Sequence, residues 1–209
     1  MCSASDDRTA RAVIRDEALR LFGAHGPDAV SVRKVAAAAG VSPGLVIHHF
    51  GTKDGLRAAV DAHVLAQFTG MLGELTGESN LYAPRAAGSL TEVFARYLPA
   101  GSPMPDYLRR LLLEGGETGL RLFSQLYQAS RMAMDAMVTA GMAVPGTDPA
   151  VRAAILLCND LVVLLLREQI ALVLGEDPLS PAGLARWGNE LLTIYAAGLL
   201  GQPPGEERG

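Results

Sequence analysis

Residues 31–50 read SVRKVAAAAGVSPGLVIHHF, and the reading of the whole chain turns on them. Ser31 and Ser42 are good helix N-caps, because a hydroxyl can accept from the free N–H groups of a first turn. Pro43 then falls at a first helical position, where its missing N–H costs nothing. Gly40 suits the left-handed residue that closes a helix. The spacing predicts two short helices joined by a tight turn. Close approach of such helices needs a small residue at the contact and glycine at the bend, which Ala36 and Gly40 supply. Val35, Ala39, Val41 and Val46 form the expected apolar seam. This is the spacing of a helix-turn-helix that lays its second helix in the major groove of DNA. A helical hairpin that merely packs would satisfy a bare Ala36–Gly40 pair equally well.

Charge separates the two readings. The chain of 209 residues has a formal charge of −4, which taken alone does not suggest nucleic acid. The charge is unevenly distributed. From Arg8 to Arg57 there are eight basic and four acidic residues, whereas residues 58–209 hold ten basic and sixteen acidic ones. Both lysines, Lys34 and Lys53, and all four histidines lie at or before residue 63. Ser31, Ser42 and Thr52 each fall at a predicted helix start, where N–H groups and the helix dipole favour phosphate. A basic head on an acidic body fits phosphate binding.

Outward from this segment the pattern is helical throughout, and the chain reads as all-α. Ile14, Ala18, Leu21 and Phe22 share one helical face, ended by Gly23 and Gly26-Pro27. Thr52 caps a helix from Lys53 toward Leu72, and GELTGESNLYAP (73–84) reads as a connection. Helical patterns then cover about Arg85–Leu98, Asp106–Glu114, Glu117–Ala140, Pro149–Leu174 and Pro181–Leu200.

The head resembles the TetR-type transcriptional regulators over about residues 9–65. The likeness runs from RAVIRDEALRLFGAHG through SVRKVAAAAGVSPGLVIHHF to GTKDGL, and the AAAAGVSPG turn and the His49-Phe50-x-x-Lys53 ending belong to it. The resemblance implies a three-helix helix-turn-helix DNA-binding domain at 8–65 and a helical effector-binding and dimerisation domain at 66–202. It implies that helix 42–48 enters the major groove and that Lys53 contacts phosphate. The expected DNA-contacting residues are Ser31, Arg33, Lys34, Ser42, Pro43, Gly44, Leu45, His48 and Lys53. One departure stands out: Ile47 occupies the position where the family usually has a phosphate-contacting tyrosine. His48 is a candidate replacement donor, and Leu45 a candidate for apolar contact with a thymine methyl.

In the body, Met132, Met134, Met137 and Met142 lie with Phe123, Leu126 and Tyr127 along one helical segment. Core packing is the ordinary explanation. The resemblance adds a pliable, mainly apolar ligand pocket, with Phe94, Tyr97, Phe123, Tyr127, Met134 and Cys158 as its expected lining. Leu161 to Leu166 are apolar in succession, so that turn is greasy on every side and needs cover all round. A second chain is the natural cover in so small a body. A homodimer through the last two helical segments is therefore expected, with Leu161, Leu165, Leu191 and Tyr195 at its interface. Two heads would face a palindromic double-stranded operator. The expected function is DNA-binding transcriptional regulation, as a repressor released by a small-molecule effector. A helical small-molecule binder and a transcriptional activator are the alternatives.

Other chemistries find little support. His48 and His49 are adjacent, so they point about 100° apart on a helix and do not chelate as an i, i+4 pair does. The Gly115–Gly119 run lacks the Lys-Ser/Thr ending of a phosphate-cradling loop. Asp16-Glu17 and Glu176-Asp177 read as solvated helix ends. No metal, cofactor or enzymatic activity is expected. Cys2 and Cys158 do not suggest a disulfide framework. The start MCSASDDRTA does not read as a secretory signal, and Ala153–Leu174 is interrupted by polar residues, so a cytoplasmic protein without a membrane span is expected.

Overall fold

The structure, a computed structural model, describes residues 4–76, 96–99, 101–141, 143–144 and 146–197. Within them the longer elements are α-helices: α1 (Ala4–His25), α2 (Val32–Ala38), α3 (Pro43–Phe50), α4 (Lys53–Thr76), α5 (Met104–Glu114), α6 (Gly116–Thr139), α7 (Pro149–Leu165), α8 (Arg167–Leu174) and α9 (Pro181–Ala197). No strand occurs among the described residues. No single helix among them is long and apolar enough to cross a membrane.

The head packs around an apolar cluster that continues into the body through Met104, Tyr107, Leu108 and Leu111 of α5. Ile14, Ala18, Leu21 and Phe22 of α1 are buried with Val30, Val35, Ala36, Val46, Leu56, Val60 and Val64. The seam forms as its spacing requires. Ala36 is buried at the crossing, Gly40 takes φ 68°, and the Val41 N–H donates to the Ala36 carbonyl at 2.9 Å. A positive φ of this kind is cheap only for glycine.

Of the two expected stop signals for α1, Gly26-Pro27 follows directly on the last helical residue, His25, whereas the helix runs straight through Gly23. Gly23 is buried inside it because α5 crosses there. A Cβ at Gly23 would stand 3.1 Å from the Pro103 carbonyl oxygen, so this glycine serves close helix approach and does not break the helix. The expected connection 73–84 also starts too early, since α4 runs on to Thr76. Glu74 supplies a reason, accepting from Tyr97 Oη at 2.8 Å and from Arg96 Nη1 at 2.9 Å. Nearly all of the expected helix Arg85–Leu98 lies outside the described residues.

The expected single helix Pro149–Leu174 is two helices, α7 and α8, bent by 75°. Leu166 leaves helical geometry at φ −112° and ψ 27°. Just beyond it, Arg167 pairs with Asp177 through Nε–Oδ1 at 2.9 Å and Nη2–Oδ2 at 2.6 Å. The bidentate pair ties the start of α8 to the loop that follows it, and it holds the Asp177 carboxyl below its ordinary pKa. Neither glycine nor proline marks this break. The head and body share α4, so the expected domain boundary at residues 65 and 66 falls inside a continuous helix.

Candidate nucleic-acid interface

The outer surface of the helix-turn-helix is set by how α3 is capped and packed. Ser42 Oγ accepts from the Leu45 N–H at 3.2 Å, and Pro43 follows as the first helical residue. Val46 is buried against the seam, and Leu45 packs half-buried on the same core. The opposite face therefore carries Pro43, Gly44, Ile47 and His48, all exposed, at the spacing that puts them side by side on a helix. The N–H of Gly44 lies in the first turn, where a helix offers no internal acceptor.

Cations flank this face. Arg33 and Lys34 on α2 are exposed, and Ser31 caps that helix by accepting from the Lys34 N–H at 3.2 Å. Lys53 Nζ donates to the Asp28 carbonyl at 3.2 Å. That bond pins the α1–α2 loop to α4 while leaving two of the three ammonium protons for another acceptor. Thr52 caps α4 through Gly55 N–H at 3.0 Å.

Of the residues expected from the sequence, Ser31, Arg33, Lys34, Ser42, Pro43, Gly44 and His48 are exposed and Lys53 is half-buried. They lie in or at the starts of α2, α3 and α4, with α3 packed on both α2 and α4. Docking of α3 on the seam leaves Leu45 half-buried against the core, whereas Ile47 is 44% accessible. One supporting contact was missed by sequence reasoning: Arg11 of α1 stacks its guanidinium 5.0 Å from the centre of the Phe50 ring, securing the C-terminal end of α3. The basic count around α1 was the available signal, but nothing in the sequence paired Arg11 with Phe50. His49 is half-buried, edge-on to Phe50 at 6.2 Å. No group of three or more His, Cys, Asp or Glu able to hold a metal occurs among the described residues.

The expected pocket lining is not brought together. Phe123 is exposed on α6, Tyr127 is half-buried with its hydroxyl donating to the Ala150 carbonyl at 3.3 Å, and Met134 is buried between helices. Cys158 is exposed on α7, Tyr97 binds Glu74 near α4, and Phe94 lies outside the described residues, as does Met142. Phe123, Tyr127 and Met134, at i, i+4 and i+11, share one stripe of α6 but differ in burial along it, from exposed to buried. A groove of about 340 Å³ instead opens between α4 and α6, bounded by Thr69, Gly73, Ser124, Gln128, Ala129 and Met132, with Gln125 beside them.

Of the expected interface residues, Leu161, Leu165 and Leu191 are half-buried in the single chain, and the side chain of Tyr195 lies outside the described residues. Larger exposure occurs nearby, at Ile155 on α7 and at Leu172 (85%) and Val173 (81%) on α8. Asp160 stands among the apolar residues of α7. Those neighbours withdraw enough water to push its carboxyl to about 6, although the isolated chain leaves part of it accessible.

Comparison with known proteins agrees with this geometry. Residues 14–60 match the family described as bacterial regulatory proteins, tetR family, and residues 100–200 match the tetracyclin repressor-like C-terminal domain. The HTH-type transcriptional regulatory protein RaaS of Mycobacterium tuberculosis is 36% identical over 154 residues, covering 73% of this chain and 68% of that protein. The HTH-type transcriptional repressor Rv3405c of the same organism is 37% identical over 99 residues, covering 47% of this chain and 52% of that protein. Among solved structures, the TetR family protein CprB of Streptomyces coelicolor A3(2) superposes with a TM-score of 0.65 at 22% identity, over 90% of this chain and 88% of that one.

Proposed function

This chain belongs to the TetR family of bacterial regulatory proteins, and from that premise we propose that it binds a palindromic operator as a homodimer and represses transcription until a small ligand releases it. One observation carries the reading: α3 turns Pro43, Gly44, Ile47 and His48 outward beside Arg33, Lys34 and Lys53. Such a face offers cations and a helix start to phosphates while presenting a narrow strip of side chains to base edges. With Ile47 in the strip, apolar contact with thymine methyls replaces a hydroxyl hydrogen bond. The name of the relative Rv3405c as a repressor supports the sign of regulation.

Dimerisation is supported by the uncovered Ile155, Leu172 and Val173 and by the exposed Ile194 of α9. The body helices of a second copy would bury them and set two heads at a fixed separation. The groove between α4 and α6 is the candidate ligand site. Met132, Ala129 and the methyl and methylene groups of Thr69 and Gln128 favour a ligand that is largely apolar. A ligand that binds better when the heads stand at the wrong separation shifts the population away from DNA. Its leverage equals its differential affinity for the two states.

Footprinting on the DNA upstream of the protein's own gene, followed by affinity measurements across salt concentrations, tests the reading. Log K is expected to fall by about 0.9 per phosphate contact for each tenfold rise in salt. Lys53→Ala is expected to weaken all sequences by a similar factor and to flatten that slope by about one contact. Operator affinity equal to wild type at every salt concentration would remove Lys53 from the interface.

A further inference from the structure

Arg110 of α5 directs its guanidinium at the backbone of another helix. Its Nε donates to the Gly23 carbonyl at 2.8 Å and its Nη2 to the Ala24 carbonyl at 3.3 Å. Both carbonyls belong to the last turn of α1, where no internal N–H is available and the helix dipole is negative. The same guanidinium lies 3.9 Å from Glu114, and Glu114 receives Arg57 Nη2 of α4 at 3.3 Å. One turn earlier on α5, the buried Tyr107 donates to Asp61 Oδ1 of α4 at 2.5 Å, and Thr118 of α6 donates to the other carboxylate oxygen at 3.2 Å. Helix α5 therefore grips α1 and α4 together.

The grip continues toward the DNA-facing surface. Past the end of α1, Asp28 offers its carbonyl to Lys53, and Ser31 opens α2. A change of angle at the end of α1 passes through this short loop to both flanks of the outward face of α3. No other side chain among the described hydrogen bonds caps the carbonyl end of α1.

We infer that Arg110 is a positioning residue for DNA recognition: its guanidinium on the carbonyl end of α1 fixes the angle at which the body holds the helix-turn-helix. The inference rests on the DNA-binding reading of the head, but its geometrical part does not depend on it. Arg110 touches neither the DNA-facing strip nor the groove, so it acts through α1.

Two measurements test it. In the first, Cys2 and Cys158 are replaced by serine, and spin labels are attached at Ala37→Cys on α2 and Ala136→Cys on α6, both exposed positions. Labelled chains are diluted with unlabelled ones, so that the distance read lies within one chain. A narrow head-to-body distribution is expected for the parental chain, a broadened or displaced one for Arg110→Gln, and recovery toward the narrow one for Arg110→Lys. Glu114→Gln, at an exposed position that makes no hydrogen bond to the α1 carbonyls, loosens the same grip. It is expected to broaden the distribution less, and it serves if circular dichroism shows Arg110→Gln unfolded. An unchanged distribution in the folded variants overturns the inference.

The second measurement compares the full operator, operators with one base pair added or removed between half-sites, and an isolated half-site. Arg110→Gln is expected to lose about fivefold or more on the native spacing, the lower range of coupling between sites, while half-site affinity is kept. Equal losses on the half-site and the full operator overturn the inference, because Arg110 would then only stabilise the head. Failure of the parental chain to bind any operator defeats the DNA-binding reading instead. The label distances still decide whether Arg110 holds the head.

Discussion

The head and the far end of the body handle their apolar residues in opposite ways. In the head, Ile14, Phe22, Val35, Val46 and Leu56 are all shut away from water, and Val13 and Ile47 are the large apolar side chains left exposed among mainly polar and basic ones. At the other end, α8 has no buried residue and leaves Leu172 and Val173 almost fully open. The head core runs on into the body through Tyr107, Leu108 and Leu111 of α5, so the head has its core apolar residues covered within the chain. The body ends in a surface whose chemistry suits contact with another apolar surface more than contact with water.

The largest effect expected from breaking this contrast is in the head. Phe22→Ala removes a fully buried ring and should cost about 3–5 kcal/mol in denaturant unfolding. A loss under about 1 kcal/mol would mean that the head core is loosely packed. On the body, Leu172→Glu with Val173→Glu should leave the fold of one chain almost unaffected. It should weaken self-association by about thirtyfold or more, as charging the centre of a buried contact does. Sedimentation equilibrium reads this directly, and unchanged association would show that α8 stays in solvent.

A smaller effect is expected at Gly44. A Cβ there would find only Ser42 Oγ, at 3.8 Å, so the protein itself has room for alanine. Gly44→Ala should stabilise the fold by about 0.5–1 kcal/mol while weakening operator binding, because the missing Cβ then serves approach to DNA. Improved stability with unchanged affinity would place Gly44 away from the DNA.

The smallest expected effect concerns pH at the packing of α1 on α4. His63 stands 3.0 Å from Gln67 Nε2 and 3.9 Å from Asp16. Burial, with Arg15 assisting, holds its pKa below 6.5, and Asp16 opposes them. The unfolded chain therefore takes up this proton first as pH falls. The associated stability is complete above 6.5 and declines as pH drops from there through the lowered folded value. Thermal melts from pH 7.5 to 5 should show this decline, and His63→Gln should reduce it. An equal slope in the variant would assign the pH dependence to other groups.

Local chemistry determined much of this protein by itself. Ser31, Gly40, Ser42, Pro43 and Thr52 fixed where the short helices of the head begin and turn, because caps and bends depend on a residue and its nearest neighbours. The periodicity of Ile14, Ala18, Leu21 and Phe22 fixed which face of α1 is buried. The uneven charge pointed to the basic side of the head.

What the tertiary structure decided involves partners far apart in the chain. Gly23 reads as a helix end until α5 crosses it, and the break at Leu166 has no local sign because its tie, Arg167 to Asp177, closes across α8. Leu45 and Ile47 are both aliphatic residues on a short helix, and only the docking of α3 onto the seam turns one inward and the other out. The groove between α4 and α6 and the hold of Arg110 on α1 belong to the same class. Propensity and periodicity describe one helix at a time, whereas a pocket or a clamp exists only in the relation between helices.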